Sequence, residues 1–202
     1  MTEMERDIFE STATSAICKG LVQAIDDYAA LFEIGSEDVT PKEDQIKCAI
    51  YSAAIGLGLL VHVEGARGRN QGRLDLKLIS RSGEPRKAAV IEIKKAWAGQ
   101  PRRRGEGWNN YGQRETWVKD IANLQNIKDP IVVARYFALG FSYQTGHDAG
   151  VRREIEELTS MPCVSEVARS ERAIPIGTSS GLNWMDFFLF SVAPAPLIQP
   201  AP

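Results

Sequence analysis

The sequence predicts a mixed α/β fold in which helices flank one sheet. Two observations predict it. A well-signalled amphipathic helix precedes three short strand patterns, and a second amphipathic helix precedes a long apolar run typical of a buried strand. The order helix, strand, strand, strand, helix, strand is that of a mixed sheet with helices packed against it. With 202 residues, the chain is long enough for one domain with a sizeable core.

The first part of the chain has helical periodicity. Apolar residues between Ile8 and Phe32 can share one broad face, and Gly20 is a candidate break between two helices. We expect residues 1–36 to form a helical segment that packs on the core. The same segment is a candidate surface for a homodimer contact or for a protein partner.

The stretch "TPKEDQIKCAIYSAAIGLG" has the strongest helix signals in the chain. Thr40 suits the N-cap, Pro41 suits the first helical position, and Glu43 completes a T-x-x-E capping box. We expect Gly56 or Gly58 to end this helix.

Three strand patterns follow, and they read "LLVHVEG", "RLDLKLIS" and "AAVIEIKKAW". In the second, alternation places the three leucines on one side and Asp75 on the other. A turn containing Ser-Gly separates the second pattern from the third. We therefore expect these two strands to form a hairpin.

The rest of the chain adds helices and strands to the same domain. "QRETWVKDIANLQNIKD" and "DAGVRREIEELTS" read as helices, whereas "PIVVARYFALGFSY", "RAIPIG" and "WMDFFLFSV" read as strands. We expect a core over residues 37–145 and a C-terminal helix and strands over 146–192. The proline-rich end, residues 193–202, is expected to be a flexible tail.

Charged residues interrupt the apolar strand "AAVIEIKKAW". Period-2 geometry puts Glu92 and Lys94 on one face and Ile91 and Ile93 on the other. A buried charge is costly unless it is paired or bound, and Asp75 on the hairpin partner would bring a second carboxylate close. Hard oxygen ligands favour Mg²⁺ or Mn²⁺, beside which a lysine could orient or deprotonate water or stabilise negative charge. The alternative is an ion-paired polar face on an exposed sheet.

At these residues the sequence resembles the PD-(D/E)XK nuclease superfamily. "GRLDLKLIS" and "AVIEIKKAW" are similar to its two active-site strands, and its shared core matches about residues 40–145. The resemblance implies a restriction-endonuclease-like fold, an α-β-β-β-α-β mixed sheet flanked by helices, here with an N-terminal helical extension. It also implies a metal-dependent hydrolase, a nuclease, for which we expect DNA rather than RNA as the substrate and endonuclease rather than exonuclease activity.

The resemblance also implies the residues of the site. Asp75 and Glu92 would be ligands of Mg²⁺ or Mn²⁺, and the carbonyl of Ile93 would complete the metal site. Lys94 would be the catalytic lysine. A glutamate of the first core helix often joins such sites, which makes Glu43 a further catalytic and metal-binding candidate, with Glu64 as the alternative metal ligand.

Two positions depart from the family pattern. Leu74 stands before Asp75, where the motif's name has proline. Gln113 followed by Trp117 partly matches the Gln-x-x-x-Tyr motif of RecB-like members, with tryptophan in place of tyrosine. The match makes Gln113 a candidate nucleic-acid contact. The alternative is that Trp117 packs in the core and that Gln113 makes a polar contact where the loop meets the helix.

Basic residues are concentrated in one part of the chain. Residues 65–104 contain twelve basic and three acidic side chains, a net charge of +9, whereas the whole chain carries −2 and the remainder therefore −11. Such asymmetry favours a local anionic partner. Together with the neighbouring Trp108 and Tyr111, the bases suit phosphate contacts and base stacking. The nucleic-acid-binding candidates in this region are Arg67, Arg69, Arg73, Lys95, Arg102, Arg103 and Arg104.

Cysteine usage and the N-terminal sequence favour a cytoplasmic location. The three cysteines lack the spacing of a disulfide framework or zinc site, and "MTEMERDIFE" lacks the layout of a signal peptide. Export without a cleaved signal stays open. A role in defence, as a toxin effector or in repair is compatible with the resemblance. The competing hypothesis is a non-catalytic module that retains the fold and binds nucleic acid or protein.

Overall fold

The computed structural model describes residues 3–33, 43–63, 74–98, 113–143, 145–146, 148–170, 174–175 and 184–196. Four helices lie within these ranges: α1 (Glu3–Glu33), α2 (Glu43–Gly56), α3 (Gln113–Gln125) and α4 (Asp148–Thr159). The strands within them are β1 (Leu60–Val63), β2 (Leu76–Ile79), β3 (Ala88–Ala98), β4 (Val132–Tyr143), β5 (Val164–Arg169), β6 (Ile174–Pro175) and β7 (Trp184–Val192).

The strands form one mixed sheet in the order β1-β2-β3-β4-β7-β5, with β6 paired to β7 beside this path. β1, β2 and β3 pair antiparallel in succession, whereas β3 and β4 run parallel. A parallel pair needs a long crossover, and the segment containing α3 provides it. β7 is antiparallel to both β4 and β5. The predicted mixed α/β class is therefore confirmed.

Each face of the sheet is covered by its own hydrophobic core. On the α1/α2 face, Ile91 and Ile93 of β3 pack with residues of α1 and α2. On the α3/α4 face, Val90 and Ala96 of the same strand pack with residues of α3 and α4. The alternation predicted for β3 is confirmed, because the two isoleucines and their neighbours of opposite parity serve opposite cores.

The predicted helix break at Gly20 is wrong, because α1 is continuous from Glu3 to Glu33. A Cβ atom at Gly20 would lie 2.4 Å from the Cα of Ile50, a fully buried residue of α2. The glycine therefore permits close approach of two helices. In the sequence, Gly20 therefore indicates close packing of two helices and not the end of one.

The end of α2 follows the sequence prediction. The helix ends at Gly56, and Gly58 adopts a positive φ of 81°. The amide of Leu59 donates to the carbonyl of Ala54, and that of Gly58 donates to Ile55. These two bonds form a Schellman motif, which favours glycine at the left-handed position. The predicted N-terminal signals, Thr40 and Pro41, lie outside the described residues.

The strand predicted over "RLDLKLIS" is shorter than expected. β2 begins at Leu76, one residue after Asp75. Leu76 and Leu78 pack on the α1/α2 face, but Leu74 packs on the α3/α4 face. The predicted single leucine face is therefore wrong at its first position, because the chain bends at Asp75. Asp75 stands at the entrance of the strand and not in its middle.

The C-terminal part contains one strand that the sequence did not predict. β5 is an edge strand whose side chains are mostly exposed, so it lacks an apolar alternation. After β7, the amides of Ala193 and Ala195 donate to the carbonyls of Cys163 and Gln125. Residues 193–196 therefore lie against the domain, while 197–202 are outside the described residues. Within the described ranges, no helix combines the length and apolar character needed to cross a bilayer.

Candidate catalytic site

The centre of the site is the charged pair on β3. Glu92 is buried, with 5% of its surface exposed, and its Oε1 accepts a hydrogen bond of 2.8 Å from Lys94 Nζ. Both side chains leave the strand on the side opposite Ile91 and Ile93, toward α3. Glu92 and Lys94 are largely buried because the apolar residues of β3 pack into the cores on both sides of the sheet. The ion pair between them offsets the cost of burying two charges.

A second carboxylate approaches Lys94 from α3. Asp120 Oδ2 lies 3.4 Å from Lys94 Nζ, and the Asp120 side chain is 13% exposed. The geometry is that of an ion pair without a hydrogen bond, because this buried oxygen accepts none from the described part of the chain.

Arg135 of β4 donates to the carbonyls of Leu124 and Ile127, which anchors the C-terminal end of α3.

Sequence reasoning missed Asp120, although a signal was present. The inward residues Trp117, Ile121 and Leu124 define the buried stripe of α3. Asp120 occupies the i+3 position of this stripe, where an apolar residue is expected. A carboxylate at a core-facing helical position needs a partner, and Lys94 is that partner.

The surrounding carboxylates hold Lys94 in its charged form. Burial lowers the pKa of Lys94, but the hydrogen bond to Glu92 and the charges of Glu92, Asp120 and Asp75 more than offset it, so the pKa is raised above its ordinary value. In this arrangement the Lys94 ammonium is suited to stabilise negative charge. It is poorly suited to accept a proton from water.

Two further carboxylates bind the edge of β3 where β2 ends. The residues of β3 that pair with β2 are Ala88–Ile91. Beyond this point, the amide of Ile93 donates to Asp75 Oδ2 at 2.7 Å, and the amide of Lys95 donates to Glu43 Oε1 at 3.2 Å. Because two residues of a strand span about 7 Å, the two carboxylates follow each other along one edge. The carbonyl of Ile93 points to the same edge as its amide.

Lys47 of α2 completes the set of charges. Its Nζ lies 2.9 Å from Asp75 Oδ1, and the two side chains are 14% and 15% exposed. Burial lowers the pKa of Lys47, but the hydrogen bond to Asp75 and the charges of Asp75 and Asp44 raise it above its ordinary value. Lys47 was not predicted from the sequence, although it lies four residues after Glu43 and therefore on the same helical face.

The structure brings together five of the residues that the sequence singled out, namely Glu43, Asp75, Glu92, Ile93 and Lys94. In the described part of the chain, no three His, Cys, Asp or Glu side chains stand together closely enough to hold one metal ion. The carboxylates are turned toward Lys47, Lys94 and the backbone amides instead. The metal site therefore stays a prediction.

Other predicted site residues lie apart from this cluster or outside the described residues. Lys95 is half-buried in β3, and alternation places its side chain on the face opposite Lys94. Trp117 is 3% exposed and contacts Phe137 and Phe141, which fits the core-packing alternative. Gln113 begins α3, but its side chain is outside the described part. The predicted residues that lie wholly outside it are Glu64, Arg67, Arg69, Arg73, Arg102, Arg103, Arg104, Trp108 and Tyr111.

Comparison with known proteins adds no relative. No family model, curated protein or solved structure matches the chain.

Proposed function

We propose that the protein is a metal-dependent nuclease that hydrolyses phosphodiester bonds, with DNA as the favoured substrate. One observation carries the proposal: carboxylates from a helix, a strand entrance and a strand meet at the Glu92–Lys94 segment of β3. A fold has little need of several largely buried carboxylates and ammonium groups along one strand segment. An enzyme that acts on a phosphodiester needs such a set.

The order of elements supports a restriction-endonuclease-like core. α2, the antiparallel strands β1, β2 and β3, the crossover with α3 and the parallel strand β4 follow the α-β-β-β-α-β order of that fold. The candidate site lies at the entrance of β2 and in the middle of β3, where the resemblance expects the two active-site strands to meet. The topology and the site residues therefore support the same proposal.

The donor set fits a hard divalent cation. Asp75, Glu92 and the Ile93 carbonyl offer oxygen atoms, and Glu43 is the further candidate on the same strand edge. Oxygen donors of this kind suit Mg²⁺ or Mn²⁺. When bound, such an ion supplies Lewis-acid stabilisation of phosphate charge and a more acidic coordinated water.

The protein's own cation would assist at the phosphate. Lys94 is held between Glu92 and Asp120, so its ammonium has a fixed position beside the proposed metal ligands. Lys94, whose pKa is raised by its carboxylate neighbours, stays protonated and would bring its positive charge to the developing charge of the phosphodiester. Asp120 and Glu92 orient this charge.

The distribution of charge supports nucleic acid as the substrate. The segment of residues 65–104 carries a net charge of +9 and includes both β2 and β3, which supply the site. A polyanion bound by this segment would bring a phosphodiester to the carboxylates and to Lys94. DNA is proposed before RNA on the resemblance alone.

A cleavage panel tests the proposal. Plasmid, linear duplex DNA, single-stranded DNA and RNA are incubated with the protein, with Mg²⁺, with Mn²⁺ and with a chelator. We expect metal-dependent cleavage of DNA, reduced at least about 100-fold in Asp75→Asn and in Lys94→Ala. Asparagine is chosen because it keeps an oxygen for the Ile93 amide.

A control on the same helix makes the panel specific. Lys119 is exposed and adjacent to Asp120, so Lys119→Ala should cleave as the wild type does. If no substrate is cut under any condition, or if both site variants cut as fast as the wild type, the protein is not the proposed nuclease.

A second candidate function is a non-catalytic module that binds nucleic acid or protein. One observation favours it: Asp75, Glu92 and Glu43 each accept a hydrogen bond or ion pair from the protein itself. Calorimetric titration with Mn²⁺ separates the two candidates. The nuclease binds the metal and loses it in an Asp75→Asn/Glu92→Gln double variant, whereas the binding module takes up none in either form.

A further inference from the structure

The ion pair between Lys47 and Asp75 joins α2 to the entrance of β2. Lys47 Nζ lies 2.9 Å from Asp75 Oδ1, and both side chains are largely buried. Among the ion pairs of the described residues, Lys47 is the lysine that contacts Asp75. Lys47 therefore supplies the charge that compensates Asp75 in the free protein.

The two oxygens of Asp75 have different partners. Oδ2 accepts the amide of Ile93 at 2.7 Å, which ties the carboxylate to β3. Oδ1 is the oxygen that faces Lys47. If Asp75 is a metal ligand, Oδ1 is the atom that can coordinate while Oδ2 keeps its bond to the backbone. The ammonium of Lys47 contacts that same oxygen.

Lys47 also has a second acidic neighbour. Asp44 lies one turn earlier on α2, with its Oδ1 3.5 Å from Lys47 Nζ and its side chain 87% exposed. The lysine can leave Asp75 and still remain beside a carboxylate at the surface. Asp44 thereby reduces the free-energy cost of moving the Lys47 ammonium away from Asp75.

We propose that Lys47 is an internal competitor of the metal ion, which occupies Asp75 Oδ1 in the free protein and is displaced when a divalent cation binds. This inference rests on the proposed function, because it takes Asp75 as a metal ligand. It assigns Lys47 a role in setting metal affinity and in keeping the free site ordered. It accounts for the ammonium group that stands at Asp75 Oδ1 in the free protein.

Metal binding by Lys47 variants tests the inference without measuring cleavage. Mn²⁺ and Mg²⁺ affinities are measured by calorimetry for the wild type, Lys47→Met and Lys47→Arg. We expect Lys47→Met to bind about tenfold more tightly or better, since an adjacent opposite charge shifts the cation affinity of a carboxylate by at least that factor. Lys47→Arg retains the competing charge and should remain near the wild-type affinity.

Lys77→Met is the matched control. Lys77 is also a largely buried lysine, and its Nζ pairs with Asp129 Oδ2 at 2.6 Å instead of with a carboxylate of the site. Its loss should leave metal affinity unchanged. Should Lys47→Met fail to fold, Lys47→Gln keeps a polar side chain of similar length and gives the same comparison. Circular dichroism and thermal unfolding without metal establish that each variant is folded.

The outcomes separate this inference from the proposed function. Metal binding of equal strength in wild type and Lys47→Met overturns the inference and leaves the nuclease proposal standing. Weaker binding in a folded Lys47→Met also overturns it, because Lys47 would then hold Asp75 in place for the metal. Absence of binding in the wild type and in every variant overturns the metal site itself, and with it both proposals.

Discussion

Lys94 and Lys95 are neighbours in the chain, but their side chains leave β3 on opposite faces of the sheet. Lys94 contacts Glu92 and Asp120, whereas the Lys95 amide donates to Glu43. We predict that Lys94→Ala lowers kcat for DNA cleavage at least about 100-fold, because it removes a fixed charge beside the phosphate. Lys95→Ala should raise KM only a few-fold. Steady-state cleavage of a labelled duplex measures both.

The reverse result would show that the face assignment is wrong. A large loss of kcat in Lys95→Ala with a nearly active Lys94→Ala would place the phosphate on the α1/α2 face, because a one-residue slip exchanges the two faces of a strand.

Asp186 provides a test of pH dependence away from the site. Burial raises the pKa of its carboxyl, although hydrogen bonds from Tyr143 and Ser170 partly lower it. As the pH rises, Asp186 therefore loses its proton at a lower pH in the unfolded chain than in the folded protein. The free energy of unfolding falls as the pH rises from the ordinary aspartate pKa to the raised pKa of the folded protein. We predict that Asp186→Asn gains stability relative to wild type between about pH 3 and pH 7. Melting temperatures across this range measure the gain.

Asp129 is a control of opposite sign. Burial raises its pKa, but the hydrogen bonds from Lys77 and the Ile131 amide more than offset this, and the pKa is lowered. Its contribution is present above the ordinary aspartate pKa and is lost as the pH falls through the folded value. Asp129→Asn should therefore be less stable than wild type at pH 7 and match it at low pH. If the stability of both variants relative to wild type changed with pH in the same direction, the pKa direction given for one of the two aspartates would be wrong.

At this scale the sequence predicted the charges within an apolar strand but not all of their partners. Glu92, Lys94 and Asp75 could be identified because period-2 alternation makes a charge in a buried strand conspicuous. Lys47 lies on a helix, and its partner is 28 residues away in the chain, so no local pattern joins them. Asp120 could have been found as a polar residue within an apolar helical stripe.

The contact between α1 and α2 depends on a residue without a side chain. A Cβ atom at Gly20 would meet Ile50 Cα at 2.4 Å, so the helices would have to move apart. We predict that Gly20→Ala destabilises the protein by about 1–3 kcal/mol, the usual cost of overpacking a core. Urea unfolding followed by circular dichroism measures the change in the free energy of unfolding.

Gly56 is the matched control for this substitution. It is also a helical glycine, at the last residue of α2. Among the described residues, no heavy atom beyond its chain neighbours and its own helix backbone lies within 4 Å of the position of its added Cβ. Gly56→Ala should be neutral or stabilise by up to about 1 kcal/mol, because alanine has the better helix propensity. Equal effects of the two substitutions would argue against the close helix contact.

The elements were predictable where periodicity was strong. α3, α4, β4 and β7 combine length with a clear apolar pattern, and each was predicted close to its observed position. β5 was missed because an exposed edge strand shows no alternation, and its existence depends on pairing with β7. The bend at Asp75 was missed because it depends on where the chain enters the sheet, which local pattern does not record.

The charge asymmetry of the whole molecule predicts a salt-sensitive interaction with nucleic acid. Binding is measured with Asp75→Asn, which should retain the hydrogen bond from the Ile93 amide and should not cleave the DNA. We expect the logarithm of its DNA affinity to fall linearly with the logarithm of salt concentration. Replacing Arg102, Arg103 and Arg104 by alanine should reduce this slope by about 2–3, if each arginine neutralises one phosphate. Fluorescence anisotropy over a salt series measures the slope.

Arginines outside the basic segment serve as the comparison. Arg152 and Arg153 are exposed on α4, so their double alanine variant should leave the slope nearly unchanged. An unchanged slope in the variant lacking all three arginines would show that phosphate is bound elsewhere on the molecule.

The edge of β3 beyond Ile91 has a consequence for the handling of this protein. Where β2 ends, the amides of Ile93 and Lys95 are satisfied by Asp75 and Glu43 instead of by a neighbouring strand. Replacing these carboxylates by alanine would leave the amide donors of Ile93 and Lys95 unpaired on the same edge of β3, and unpaired strand edges are templates for pairing with a second molecule. Alanine variants of Asp75 and Glu43 are therefore expected to self-associate and aggregate. Asp75→Asn and Glu43→Gln, which keep the acceptor oxygens, should remain monodisperse in light scattering.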